Sequence, residues 1–153
     1  MAENTVRVLV LCTGNSCRSQ MAEGWLNSRY AGQVSASSAG SDPSGYVHPL
    51  AVRVMGEAGI DLSGGHSKHL NEFLDESFDM VLTVCDSAAE ACPVFPGRAR
   101  RVHRDFTDPA KAEGSEDEVL EVFRRVRDEI RDWLDELFAG QGESNRTDQA
   151  TSS

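Results

Sequence analysis

Two short apolar runs dominate the pattern of the chain, and each ends at a cysteine. Residues 6–11 stop at Cys12, and residues 80–84 stop at Cys85. Runs this short, valine-rich and nearly unbroken are the pattern of buried parallel strands. Residues 34–38 and 99–103 are weaker strand candidates. Between them the period turns helical. Met21, Ala22, Trp25 and Leu26 make one face, with Gly32 as a stop. Leu50, Ala51, Val54, Met55 and Ala58 make another, opened by Pro49 and ended by Gly59. A turn at Gly64-Gly65-His66-Ser67 precedes a short helix over 70–74. Ser115 and Glu118 form a capping box. The helix it opens carries Val119, Phe123, Val126, Ile130, Trp133 and Leu137 as one apolar stripe, read as a core face, and Gly140 closes it.

Strands alternating with helices imply an α/β three-layer sandwich, a parallel sheet with helices on both faces. Residues 1–140 read as a single catalytic domain, and 141–153, without a large apolar residue, as a disordered tail. Ligands of such sheets bind beyond the carboxyl ends of the strands. Cys12 and Cys85 are therefore expected on one edge, close in space though distant in sequence.

Composition narrows the function classes. A net charge of −10 on 153 residues argues against a general binder of nucleic acid or anionic membranes. An anionic substrate must then be attracted locally, against the overall field. The one basic cluster, Arg98, Arg100, Arg101 and Arg104, reads as a solvated strand edge. No apolar run approaches the ~20 residues of a membrane span. No basic-then-apolar leader opens the chain, so a cytoplasmic protein is expected; a monomer is expected as well. Four cysteines in a reducing compartment are not structural staples, and neither pair has zinc-site spacing.

Candidate chemistry centres on Cys12-Thr13-Gly14-Asn15-Ser16-Cys17-Arg18-Ser19. A strand feeding a helix through a small-residue loop aims backbone N–H groups and the helix N-terminus into one concavity, an anion cradle. Gly14 is expected to take the positive φ of the tight loop. Cys12 would sit at the base as a thiolate, a form favoured by a helix N-terminus and a neighbouring cation. Arg18 could fork two oxygens of a tetrahedral oxyanion. Asn15 and Ser19 could hold the loop or bond the sulfur. Asp108, held extended by Pro109, is the candidate proton donor for a departing oxygen.

Cys85 and Cys92 enclose a short helix-forming stretch with its own capping pair, Ser87 and Glu90, closed by Pro93. In an intact helix their Cα atoms would stand about 10 Å apart, whereas a disulfide tolerates about 7 Å. Joining them requires the stretch to unwind, which a helix so short does readily. The pair is thus either a thiol shuttle or two unrelated buried thiols.

The loop from Cys12 to Trp25 resembles that of thioredoxin-coupled arsenate reductases, which share the fold of low-molecular-weight protein tyrosine phosphatases. Ser38-Ala39-Gly40, the Cys85 and Cys92 pair with Pro93, Asp108-Pro109-Ala110 and the run from Phe123 to Ile130 match as well, so the resemblance spans residues 5–138. It implies a four-stranded parallel sheet and a three-thiol relay. Cys12 attacks arsenate, Cys85 attacks Cys12 and releases arsenite, and Cys92 moves the disulfide to Cys85–Cys92 for thioredoxin to reduce. Arg18 binds the oxyanion together with the loop residues Thr13, Gly14, Asn15, Ser16, Cys17 and Ser19, Asp108 moves the proton, and Cys17 packs. Phosphate and sulfate would compete, and weak phosphatase activity could accompany the reduction. Thioredoxin is the implied electron donor, with no bound cofactor. Some members bind potassium at positions matching Asn15, Glu23, Ser38, Ser67 and His69. His69 stands where those members have an acidic ligand, and an imidazole suits a hard cation poorly; no metal is expected. The loop by itself would serve a phosphatase equally well, or an anion-sensing thiol switch. The Cys85 and Cys92 pair is what favours the reductase.

Overall fold

The computed structural model describes residues 5–86 and 99–147, with backbone alone for 139–147. Its elements are β1 (Val6–Cys12), α1 (Arg18–Arg29), β2 (Val34–Gly40), α2 (Pro49–Glu57), β3 (Met80–Thr83), β4 (Arg100–His103) and α3 (Glu116–Thr147). The strands form one parallel sheet in the order β2-β1-β3-β4. The apolar runs explain the order. Val8 to Leu11 are wholly buried, as the central strand β1 must be, whereas the arginine-bearing β4 is the exposed edge. The chain leaves β1 for β2 on one side and later returns to β3 on the other. This reversal opens a crevice at the carboxyl ends of β1 and β3.

Among the described residues the expected elements are present, with two differences. The stretch 70–74 is a 3₁₀ turn, Leu70–Phe73. α3 continues past Gly140 to Thr147, because a glycine costs a helix about 1 kcal/mol but blocks none of its hydrogen bonds. Residues 148–153, the end of the expected tail, lie outside the described residues. So do Arg98, Cys92 and the whole Ser87 to Pro93 stretch.

The capping box at the start of α3 is reciprocal. Ser115 N donates to Glu118 Oε1 at 2.8 Å, and Glu118 N to Ser115 Oγ at 3.2 Å. Leu120, Phe123, Val126, Ile130, Trp133, Leu134 and Phe138 are buried on α3, and Val119 and Leu137 flank them half-covered. The stripe is therefore core. α3 packs on α1 and α2, and Glu57 at the end of α2 is clamped by Arg124 and Arg127 at 2.8 and 3.0 Å. Those guanidiniums, Arg124 first, hold its carboxyl down at about 2.

Gly40 ends β2 opposite Cys12 in register. A Cβ there would stand 2.4 Å from the Thr13 carbonyl oxygen and 2.9 Å from that of Cys12. Both obstacles are backbone of the candidate loop, so neither can swing aside. Gly40→Ala is expected to lower stability by about 2–3 kcal/mol, read as a lower urea midpoint at unchanged slope.

Candidate active site

Residues 13–17 turn from β1 into α1 and wrap around the Cys12 sulfur. The carbonyls of the loop all face outward, each with a donor. Asp42 N donates to Thr13 O, Ser44 N to Gly14 O and His48 N to Ser16 O, at 2.9, 2.9 and 3.0 Å. Ser67 Oγ also reaches Gly14 O, at 3.0 Å, and Gln20 Nε2 reaches Asn15 O at 3.1 Å. With its carbonyls taken, the loop has its amides left to offer. The amides of Gly14, Ser16, Cys17 and Arg18 have no protein acceptor among the described residues, and α1 begins without a side-chain cap or an acidic first turn. Unpaired amides around a helix N-terminus form a positive concavity.

The positive φ falls on Asn15, at 49°, and not on Gly14. Asparagine tolerates this region because its side chain can bond locally. Here the wholly buried amide is bound on every side. Nδ2 donates to Ser19 Oγ at 2.8 Å, while Oδ1 accepts from Lys68 N at 2.8 Å and Gln20 Nε2 at 3.1 Å. Asn15 N in turn donates to the Cys12 sulfur at 3.3 Å, and Ser19 Oγ lies 3.0 Å from it. Both contacts reach the sulfur, one from the loop and one from the first turn of α1.

Arg18 is 8% exposed. Nη1 donates to the Phe106 carbonyl at 2.9 Å, and Nη2 stands 3.5 Å from Asp108 Oδ2. The guanidinium is thereby fixed in plane at the mouth. Asp108 is extended, as the following proline requires, and its Oδ1 caps the Pro109–Lys111 turn by accepting from Ala110 N at 3.0 Å. Cys85 is buried just beyond β3, its sulfur 3.3 Å from Thr13 Oγ1. Cys12, Thr13, Gly14, Ser16, Cys17, Arg18, Cys85 and Asp108 line a single cavity of about 430 Å³, with Asp86, Asp105 and Lys111 at its wall. Among the described residues, three carboxylates stand against two cations in this wall. Attraction of an anion falls to the loop amides and Arg18.

Cys17 also borders this cavity, but burial pushes its thiol up to about 12. A thiol so held is protonated at pH 8 and unreactive. In the folded protein Cys17 is expected to escape iodoacetamide at that pH and to react once guanidinium unfolds the chain, as read by peptide mapping.

The five positions matched to a potassium site have these protein partners. Ser38 Oγ donates to Glu23 Oε1 at 2.5 Å, and His69 Nδ1 accepts from Asn71 N at 3.0 Å. Ser67 and Asn15 brace the loop as described. Gln20, Gly40 and the segment after β2 are loop supports to which the sequence assigned no role in the site. The one signal was the concentration of turn residues from 40 to 45.

The model of the family "low molecular weight phosphotyrosine protein phosphatase" matches residues 7–147. The chain belongs to that family. Among relatives of this family, the arsenate reductase of Halalkalibacterium halodurans is 50% identical over 123 residues, 80% of this chain and 88% of that one. An arsenate reductase solved in an oxidized state superposes with a TM-score of 0.75 at 32% identity, covering 88% of this chain and 97% of that one. A low molecular weight protein tyrosine phosphatase from T. tengcongensis does so at 0.74 and 30% identity, covering 89% and 99%. A thioredoxin-dependent arsenate reductase of Corynebacterium glutamicum superposes at 0.67 and 27% identity, covering 92% of this chain and 65% of that one. The fold thus occurs with both names, and the chemistry must be argued from what lies around the cavity.

Proposed function

We propose that this protein reduces arsenate to arsenite by a relay of three thiols regenerated by thioredoxin. The observation that carries the reading is the second thiol in the wall of the anion cavity, Cys85, with Thr13 Oγ1 3.3 Å from its sulfur. Ester hydrolysis requires a nucleophile, an anion clamp and a proton carrier, and has no use for it.

Arsenate enters the loop, its oxygens bonded by the loop amides and forked by Arg18. Cys12 Sγ attacks arsenic, an oxygen leaves as water on receiving protons, one of them through Asp108, and a thiol–arsenate adduct forms. Cys85 Sγ then attacks Cys12 Sγ. The sulfur–arsenic bond breaks with its electron pair left on arsenic, which becomes arsenite, and a Cys12–Cys85 disulfide remains. Per turnover one hydrogen arsenate, two thiols and two protons give arsenite, water and one disulfide. Cys92 next attacks Cys85 and frees Cys12, and the dithiol of thioredoxin reduces Cys85–Cys92. Support for the donor is the thioredoxin-dependent relative. Phosphate and sulfate compete for the loop, and weak hydrolysis of small phosphoesters accompanies the main reaction.

Against phosphotyrosine stands the wall itself, since no aromatic side chain is among the described residues lining the cavity. Phe106, the nearest candidate platform in sequence, is turned into the core, 5.4 Å from the Trp133 ring. The test is NADPH consumption with thioredoxin and thioredoxin reductase. Oxidation that requires arsenate, and that phosphate cannot replace, is expected; a rate equal to the phosphate blank overturns the proposal.

A further inference from the structure

We infer that His103 is a positioning residue for Cys85, acting through Thr83 and Asp86; the inference rests on the relay proposed above. His103 ends β4 and is the register partner of Thr83, which ends β3. Its ring joins the residues on either side of the Val84–Cys85 link. Nδ1 lies 2.7 Å from Thr83 Oγ1, and Nε2–H donates to Asp86 Oδ1, also at 2.7 Å. Asp86 N donates to Asp105 Oδ1 at 3.2 Å. The main chain before Cys85 is held as well: Arg104 N reaches Thr83 O at 3.0 Å, Phe106 N reaches Val84 O at 3.1 Å and Val84 N reaches Leu11 O at 3.0 Å. Cys85 is therefore pinned at both neighbours while its sulfur faces Thr13.

The clasp does two things for the thiol. It fixes the backbone from which Cys85 must reach Cys12, and misplacement of a nucleophile by even an ångström slows attack. It also turns the Asp86 carboxylate toward the imidazole. Stability is the lesser consequence: the side chains of His103 and Asp86 are 38% and 74% exposed, and exposed pairs add little to folding.

Those two consequences separate in one experiment. In a Cys92→Ser background the reduced protein is mixed with arsenate, and the Cys12–Cys85 bridge is followed by non-reducing peptide mapping. Adding His103→Ala removes both hydrogen bonds of the ring and is expected to slow the maximal bridging rate at least about fivefold, the size of one of them. The arsenate concentration giving half the maximal rate, and the urea midpoint, should stay where they are. His103→Gln keeps an N–H for Asp86 and recovers most of the rate. Bridging by His103→Ala at the parent rate overturns the inference. So does a slowing that comes with a lower urea midpoint or a shifted arsenate half-saturation, since that marks general loosening. A Cys92→Ser parent that forms no bridge overturns the relay, and with it the inference, so the two failures are told apart.

Discussion

Cys85→Ser is expected to abolish thioredoxin-linked arsenate turnover, by on the order of a thousandfold or more, while leaving slow phosphoester hydrolysis near its original rate. The two halves of the expectation have separate causes. A serine hydroxyl is a weak nucleophile at neutral pH and cannot attack the Cys12 sulfur to make a disulfide. It can still pair with the Thr13 hydroxyl, 3.3 Å from the present sulfur, so the cavity wall keeps its shape. Cys12, Arg18 and Asp108 are untouched, and hydrolysis asks for nothing else. NADPH consumption and p-nitrophenyl phosphate hydrolysis, measured on one preparation, check both halves. Sustained arsenate turnover by the variant removes Cys85 from the relay.

Arg18→Lys should cost both reactions together, about a hundredfold in kcat/KM, equivalent to ~2.7 kcal/mol of transition-state binding. The charge survives, so a long-range effect would predict little change. What is lost is geometry. The guanidinium holds the Phe106 carbonyl at 2.9 Å with one nitrogen and sits 3.5 Å from Asp108 with another, which fixes the plane it offers to two oxygens of the anion. An ammonium is a point charge that cannot serve all of these at once. It also leaves the carbonyl of Phe106, a 3% exposed residue, without its donor. Parallel falls in arsenate reduction and phosphoester hydrolysis are expected. A variant within threefold of the parent in either reaction would mean that the loop amides alone bind the anion.

The placement of the strands and of the main helix was legible because their signals are local. A valine-rich run ending in cysteine, or a capping box before an apolar stripe, is decided by residues within one or two turns of each other. The loop was misread at one residue for the opposite reason. Glycine is the safest guess for a positive φ, but Asn15 takes it at 49° because Ser19, Gln20 and Lys68 bind its buried amide, and Lys68 is far away in sequence. Gly40 is similar: the resemblance covers it, but nothing near it in the chain shows that the Thr13 and Cys12 carbonyls leave no room for a Cβ there. Gly140 looked like a stop because the pattern ends there, although a glycine alone does not end a helix.

Residue identity by itself determined the candidate chemistry: a cysteine and an arginine spaced around a small-residue loop, and a second cysteine at the end of a second buried strand. It also implied that both cysteines lie on one edge of a parallel sheet, because all strands of such a sheet run the same way. Tertiary structure decided whether these groups meet. The strand order puts β1 beside β3, so that Thr13 Oγ1 touches the Cys85 sulfur across seventy-two positions of chain. The segment after β2 occupies the loop carbonyls of Thr13, Gly14 and Ser16 and leaves the amides of Gly14, Ser16, Cys17 and Arg18 without a protein acceptor among the described residues. Those contacts depend on which distant backbone groups remain to be satisfied once the sheet has formed, and no local pattern carries that information.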